Sequence, residues 1–418
     1  MAIRLDKGIV RGELDNTEQG RVRGHIWLFG REEPLELDLE GDAWRDVAGT
    51  RITFVNPNPR RQKAIASLST AQIGIVGDIT ASRKVKHVTA SDEEISRLLE
   101  EEKPLPCEMR NSLYIEWFTE AGGRVVIESA DFEMQITEFA WQMDEAEEQA
   151  QQFANMNAMR NWLAQVIDRP ERDVVVGDGS NPFSEAAWEE SLKLSDRVSD
   201  AHMEAMDKYS EDDEEEESKV AYVMGWDHLL DAMAIDSEQD GPASADQDED
   251  DDVDDEAEWS DEDDSDDDDD DFESFAELEG LEDDTEDAPH PLKERAHELV
   301  LRILEELREE RQSDDDEEDD DSPLDRFLSN TMRISGKIAG VLGGRRFAEG
   351  MDAGHTLAVL KRCLNWSNDA LSGINDLLND PEWQDSHSLF SEYKRELHAI
   401  RDGITDLRQE IREANPGV

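Results

Sequence analysis

The chain has 418 residues, with 42 Lys and Arg against 108 Asp and Glu and a formal charge of -66 at pH 7. That is far more charge than a surface needs for solubility, and it repels nucleic acid and anionic lipid. The length allows two or three domains. No apolar stretch approaches the roughly 18 residues of a membrane span, and the opening MAIRLDKGIVRGELD lacks an apolar signal core. Cys107 and Cys363 are the only cysteines, which excludes a disulfide framework and a cysteine-rich zinc site. A cytoplasmic protein without membrane contact is expected.

Residues 1–140 read as a β-rich domain. LELDLE at 35–40 alternates strictly, with Leu35, Leu37 and Leu39 on one face. Similar alternation runs through Val22, Ile26 and Leu28, through Ile52 and Phe54, and through Phe132, Met134 and Ile136. In SLYIEWFTEAGGRVVIES, two β-rich runs flank a turn at Gly122 and Gly123, the pattern of a hairpin. The pattern predicts about seven antiparallel strands in a small sandwich or barrel. A short helix is expected in SDEEISRLLEEEKPLP, where Ser91 and Glu94 have capping-box spacing.

From residue 143 the period changes, and 143–235 reads as a helical segment. Phe153, Met156, Met159, Trp162, Leu163 and Val166 recur at helical spacing before DRP at 168–170. A second helix is predicted from NPFSEAAW onward with Trp188, Leu192 and Met206, and a third over VAYVMGWDHLLDAMA.

Residues 236–287 hold 31 acids and no Lys or Arg; with EDDEEEE at 211–217 and DDDEEDDD at 314–321 they carry 46 of the 108 acids. Like charges this dense cannot pack without large repulsion, so all three blocks are expected to be disordered, 236–287 as an acidic linker. Residues 288–418 are predicted to form an antiparallel four-helix bundle interrupted by an acidic loop at 313–322. Its seams run through Leu292, Ala296, Leu299, Ile303 and Leu307, through Leu324, Phe327, Thr331, Ile334, Ile338 and Val341, through Leu357 to Leu378, and through Phe390 to Ile411. The fold class is multidomain α+β.

Motifs that would carry chemistry are weak. A di-metal bundle needs two Glu-x-x-His motifs on facing helices, whereas ERAH at 294–297 stands alone and His297 is off the seam. VVVGDGSNP at 174–182 has Pro182 where a phosphate loop needs its third glycine, and Asp178 would face a phosphate, so a plain turn is the better reading. No Ser or Cys lies in a nucleophile elbow. The acidic runs lack the glycine and glutamate register of a calcium loop. No cofactor and no metal are expected. Basic clusters at 21–23, 59–63 and 83–87, near Trp27, Trp44 and Phe54, would suit a single-stranded nucleic-acid surface; a wet sheet face over an aromatic core explains them more simply.

A pure spacer needs no aromatics. Yet Trp259, Phe272, Phe275, Leu278 and Leu281 lie in and just after the densest carboxylate run, the last four at spacings of three. Such a segment is expected to bind a basic protein, its carboxylates steering at long range and its apolar anchors filling pockets. The expectation is a non-catalytic acidic interaction or scaffold protein with basic partners. The alternatives are a nucleic-acid-binding β domain regulated by its acidic tail and an enzyme whose site is dispersed in the sequence.

Overall fold

The computed structural model describes residues 2–62, 68–90, 103–120, 123–169, 183–209, 216–230, 290–307, 322–343 and 353–416, together with 94–95, 97–98, 181 and 232–233. It divides into two compact units, 1–171 with 196–253 and 172–195 with 254–418. The expected acidic linker at 236–287, the acidic loop 313–321 and the turn at 174–180 lie outside the described residues. Of the expected helix near residue 91, positions 94–95 and 97–98 are helical, and Ser91 is outside the description.

Among the described residues the first unit is built on nine strands: β1 (Ile3–Arg4), β2 (Ile9–Asp15), β3 (Arg21–Leu28), β4 (Leu35–Glu40), β5 (Arg51–Val55), β6 (Ala71–Val88), β7 (Cys107–Thr119), β8 (Arg124–Ser129) and β9 (Glu133–Ile136). They form one sheet in the order β1-β8-β7-β6-β4-β3-β2-β5-β9. Alternation is the local cause: β3 and β4 bury every second residue, as their sequences require. β7 and β8 pair as the expected hairpin, with Leu113 opposite Ser129 and Phe118 opposite Arg124; of its turn glycines, Gly122 lies outside the described residues.

The sheet corrects the expected sandwich or barrel of seven antiparallel strands. It is single and open, ending in the short edges β1 and β9, and two pairings, β1 with β8 and β4 with β6, are parallel. The reason is topological. After the meander β2-β3-β4, β5 returns beside β2 in a Greek-key order, so the chain must cross back and β6 meets β4 running the same way.

One face of the sheet holds a core that includes Leu14, Ile26, Leu37, Phe54, Ile79, Ile115, Trp117 and Ile127. Around β6, β7 and β8 the other face is covered as well. There α1 (Glu145–Ile167), the later part of α2 (Glu185–Tyr209) and α3 (Glu216–Met224) supply Met159, Trp162, Leu163, Ala201, Ala205 and Val220, which pack with Phe118 of β7. Asp144 and Glu147 form a reciprocal capping box at the start of α1. Two expectations are corrected at α3: Glu216 and Glu217 of the acidic block 211–217 are helical, their charge favoured in a first turn, and the helix expected through 220–234 breaks at Gly225, whose φ of +75° suits glycine, before 227–230 turn helical again. Phe153, expected on the buried seam of α1, is 58% exposed, with its ring 5.9 Å from that of Tyr222 between centroids.

The second unit is helical: α4 (Pro291–Glu306), α5 (Pro323–Gly343), α6 (Ala353–Asn379) and α7 (His387–Ala414). Their seams meet in one apolar core that includes Leu299, Ile303, Phe327, Ile334, Leu360, Ile374, Phe390, Leu397 and Ile404. Each of the four touches two others, α4 with α5 and α7, and α6 with α5 and α7. Val341, Leu364, Leu378 and Ile411 sit at the margin of this core and are only partly buried. The first part of α2, residues 185–195, belongs to this unit. Glu185 there accepts from Arg412 at 2.7 Å and also pairs with Arg408.

Candidate functional site

Strand β7 reads LYIEWF at 113–118, and all six residues are buried. Alternation sends Leu113, Ile115 and Trp117 into the sheet core and Tyr114, Glu116 and Phe118 toward the helices. Glu116 is therefore a charge inside a layer that excludes water, and it needs partners. Arg124, at the start of β8, donates from Nε to Glu116 Oε1 at 2.6 Å; its Nη1 donates to Glu204 Oε2 and its Nη2 to Tyr114 Oη at 3.3 Å. Lys208 Nζ donates to the other Glu116 oxygen, Oε2. Glu204 and Lys208 share a face of α2 at i and i+4. Ala201 and Ala205 on the same stretch are small enough to let the helix lie close to the sheet.

Glycine makes the arrangement possible. A Cβ at Gly77 would stand 2.5 Å from Glu116 Oε2 and 2.6 Å from Glu116 Cγ. Gly77→Ala is thus expected to cost about 1–3 kcal/mol through overpacking, measured as a lowered unfolding midpoint; a variant as stable as the parent would show that Glu116 has room to move.

Directly opposite Glu116 on β6 stands Asp78. The β6–β7 register shifts on both sides of this stretch, between Val76 and Asp78 and between Thr80 and Arg83, irregularities that re-aim side chains. Among the described residues the Asp78 carboxylate accepts no hydrogen bond and forms no ion pair, and its Oδ1 is buried. The two facing carboxylates are driven apart. Burial pushes Asp78 up to about 6, with Lys208 and Arg83 opposing and Glu116 and Asp46 adding to the rise. Burial also disfavours the Glu116 charge, but Lys208 and Arg124 overcome it and hold Glu116 down to about 2.

Asp78 lines a cavity of about 340 Å³ together with Trp44, Thr80, Ser82, Arg83, Gln152, Asn155, Met156, Lys208, Tyr209 and Lys219. Nearby, Asp46 Oδ2 accepts from Thr80 Oγ1 at 3.0 Å and from the Ala81 amide at 2.8 Å, while Asp46 Oδ1 is buried without a partner. A larger cleft of about 730 Å³ runs past Ile73, Ile75, Phe118 and Trp162; its Arg21 and Asp38 satisfy each other at 2.5 Å. Polar groups lacking partners gather at the smaller cavity, which makes it the better site.

Sequence reasoning did not single out these residues. The signal was there: Glu116, Arg124 and Asp78 are charges inside apolar strand runs, IEWF, RVVI and VGDI. The partner-binding residues expected from sequence, Trp259, Phe272, Phe275, Leu278 and Leu281, lie outside the described residues. Of the basic clusters, Arg21 pairs with Asp38, Arg23 with Glu18, and Arg83 with Glu128 at 3.3 Å. Phe54 is core, and Trp27 lies under the Arg11 guanidinium, 3.7 Å from the ring centroid. His297 is exposed, and among the described residues no group of three or more His, Cys, Asp or Glu is placed to hold a metal ion. No described helix is long and apolar enough to cross a membrane.

Comparison with known protein families, with curated proteins and with solved structures gives no match to the chain.

Proposed function

We propose that the protein is a non-catalytic interaction protein that docks basic partner proteins through its acidic-aromatic segment. The observation that carries this reading is the separation of charge. Arginines of the sheet unit are held by the unit's own acids, Arg4 by Asp207, Arg21 by Asp38, Arg45 by Glu148 and Arg51 by Asp15. Residues 236–287 hold 31 acids and not one Lys or Arg. A basic protein is the complementary partner for such a field. The same internal pairing weighs against a nucleic-acid surface at Arg21, Arg23 and Arg83, because a phosphate contact there would have to displace a carboxylate. The pairing of each of α4 to α7 with two others also supports reading these helices as an antiparallel four-helix bundle, a rigid body from which such a segment would extend.

The test changes Trp259, Phe272 and Phe275 to Ser in the full chain, which leaves the net charge untouched. Basic proteins captured by the wild type at low salt, after nuclease treatment, are titrated against both forms. The triple variant is expected to lose about 1–2 kcal/mol per buried ring toward a cognate partner and nothing toward proteins held by charge alone. Equal affinity of both forms for every captured protein would reduce the segment to a charged spacer.

A further inference from the structure

The geometry points to a small-molecule site in the sheet unit: the cavity beside Asp78 binds a protonated amine, its ammonium against the Asp78 carboxylate and its hydrocarbon part on Trp44, Met156 and Tyr209. This site is independent of the acidic segment.

Asp78 is the acid of the cluster with nothing of its own. Glu116 is shared by Arg124 and Lys208, Glu204 is held by Arg124 and by the Ala2 amide at 2.5 Å, and Glu128 by Arg83. Asp46, which faces Asp78 electrostatically, accepts from Thr80 and Ala81. Asp78 therefore stands beside a carboxylate of the same sign with no hydrogen-bond donor among the described residues, its charge eased only through space by Lys208 and Arg83. A buried acceptor left in that state is costly. It is relieved either by taking up a proton or by receiving a cationic donor from outside.

The cavity admits the second solution. At about 340 Å³ it is at the small end of ligand pockets, so it suits a molecule of a few carbons rather than a peptide. Its wall offers an indole, a thioether and a phenol ring to a hydrocarbon chain, and an indole face also attracts an ammonium. Gln152, Asn155 and the Ser82 hydroxyl provide neutral polar atoms for the remaining N–H groups. Three cations border the same space, and two are visibly committed, Lys208 to Glu116 and Arg83 to Glu128 and the carbonyls of Asp207 and Lys208; Lys219 also has a partner. An anionic ligand would have to compete with those acids for them and would meet Asp78.

The test is calorimetric titration of the full chain with n-butylammonium, n-butanol and butyrate. n-Butylammonium is expected to bind saturably, and butanol, which has the same chain without the charge, about tenfold more weakly or worse, the worth of a charge-assisted hydrogen bond. Asp78→Asn keeps the shape and removes the charge; it is expected to lose at least that factor for butylammonium while butanol is unchanged, with its melting curve confirming a folded protein. Wild-type affinity for the ammonium should rise as pH is raised through about 6, because the carboxylate must give up its proton to accept the ligand. Absence of saturable binding, with water filling the cavity, would overturn the proposal. So would preference for butyrate, or unchanged ammonium affinity in Asp78→Asn.

Discussion

Arg124→Leu should be among the most damaging single changes in the sheet unit. Arg124 is fully buried and is the donor that three groups share, Tyr114, Glu116 and Glu204. Removing it leaves Glu116 with Lys208 alone and Glu204 without its strongest partner, all beneath a helical layer. Breaking a buried ion pair from one side costs about 3–5 kcal/mol, which for a unit of this size corresponds to a fall in midpoint on the order of 10 °C. Thermal unfolding followed by circular dichroism measures it directly. Replacing Glu116, Arg124 and Lys208 together with apolar residues of similar volume should recover part of the loss, because the penalty lies in the orphaned charge rather than in the absence of a bridge. A single variant melting with the wild type would show that water reaches the cluster.

The pH profile gives a second readout of the same cluster. The Glu116 carboxyl is depressed in the folded protein, so its contribution is present above the ordinary carboxylate range and is lost as pH falls through about 2. Asp78 is raised, so its contribution is present below that range and is lost as pH rises through about 6. The two facing acids pull stability in opposite directions.

In the helical unit, Leu397→Asp is expected to abolish or nearly abolish cooperative unfolding. Leu397 is fully buried on α7, within the core that α4, α5 and α6 share. A carboxylate there would lie among Tyr393, Ile400 and the other apolar side chains of this core, and the nearest cations along the helix, Lys394 and Arg401, are engaged by Asn375 and Asp402. The cost is several kcal/mol, on the order of a domain's whole stability of about 5–15 kcal/mol. Far-UV circular dichroism of the full chain should show the loss of a large part of the helical signal and a broadened melt. Retention of a sharp transition at the parental temperature would place Leu397 at the surface.

Several of the strands and helices are determined by local sequence. Strict alternation in LELDLE, the double glycine between two β-rich runs and the three-and-four spacing from Phe390 to Leu407 each act within a few residues, and each element stands where those patterns put it. The seams of α4 to α7 were legible for the same reason, since a helix periodic in Leu and Ile has one apolar face to bury. Sheet order was not legible. The parallel pairing of β4 with β6 depends on β5 having taken the place beside β2, a choice made by contacts remote in sequence. The candidate site was hidden in the same way. Asp78, Glu116, Arg124, Glu204 and Lys208 come from three strands and a helix up to 130 residues apart in the sequence; a charge inside an apolar strand run such as IEWF marks an inward position, but no linear pattern names the partners that meet it there. Only the packing of α1, α2 and α3 over β6, β7 and β8 turns that face into an interior. There a lone carboxylate beside a cavity acquires chemical consequence, because low polarity and a missing partner act on it together.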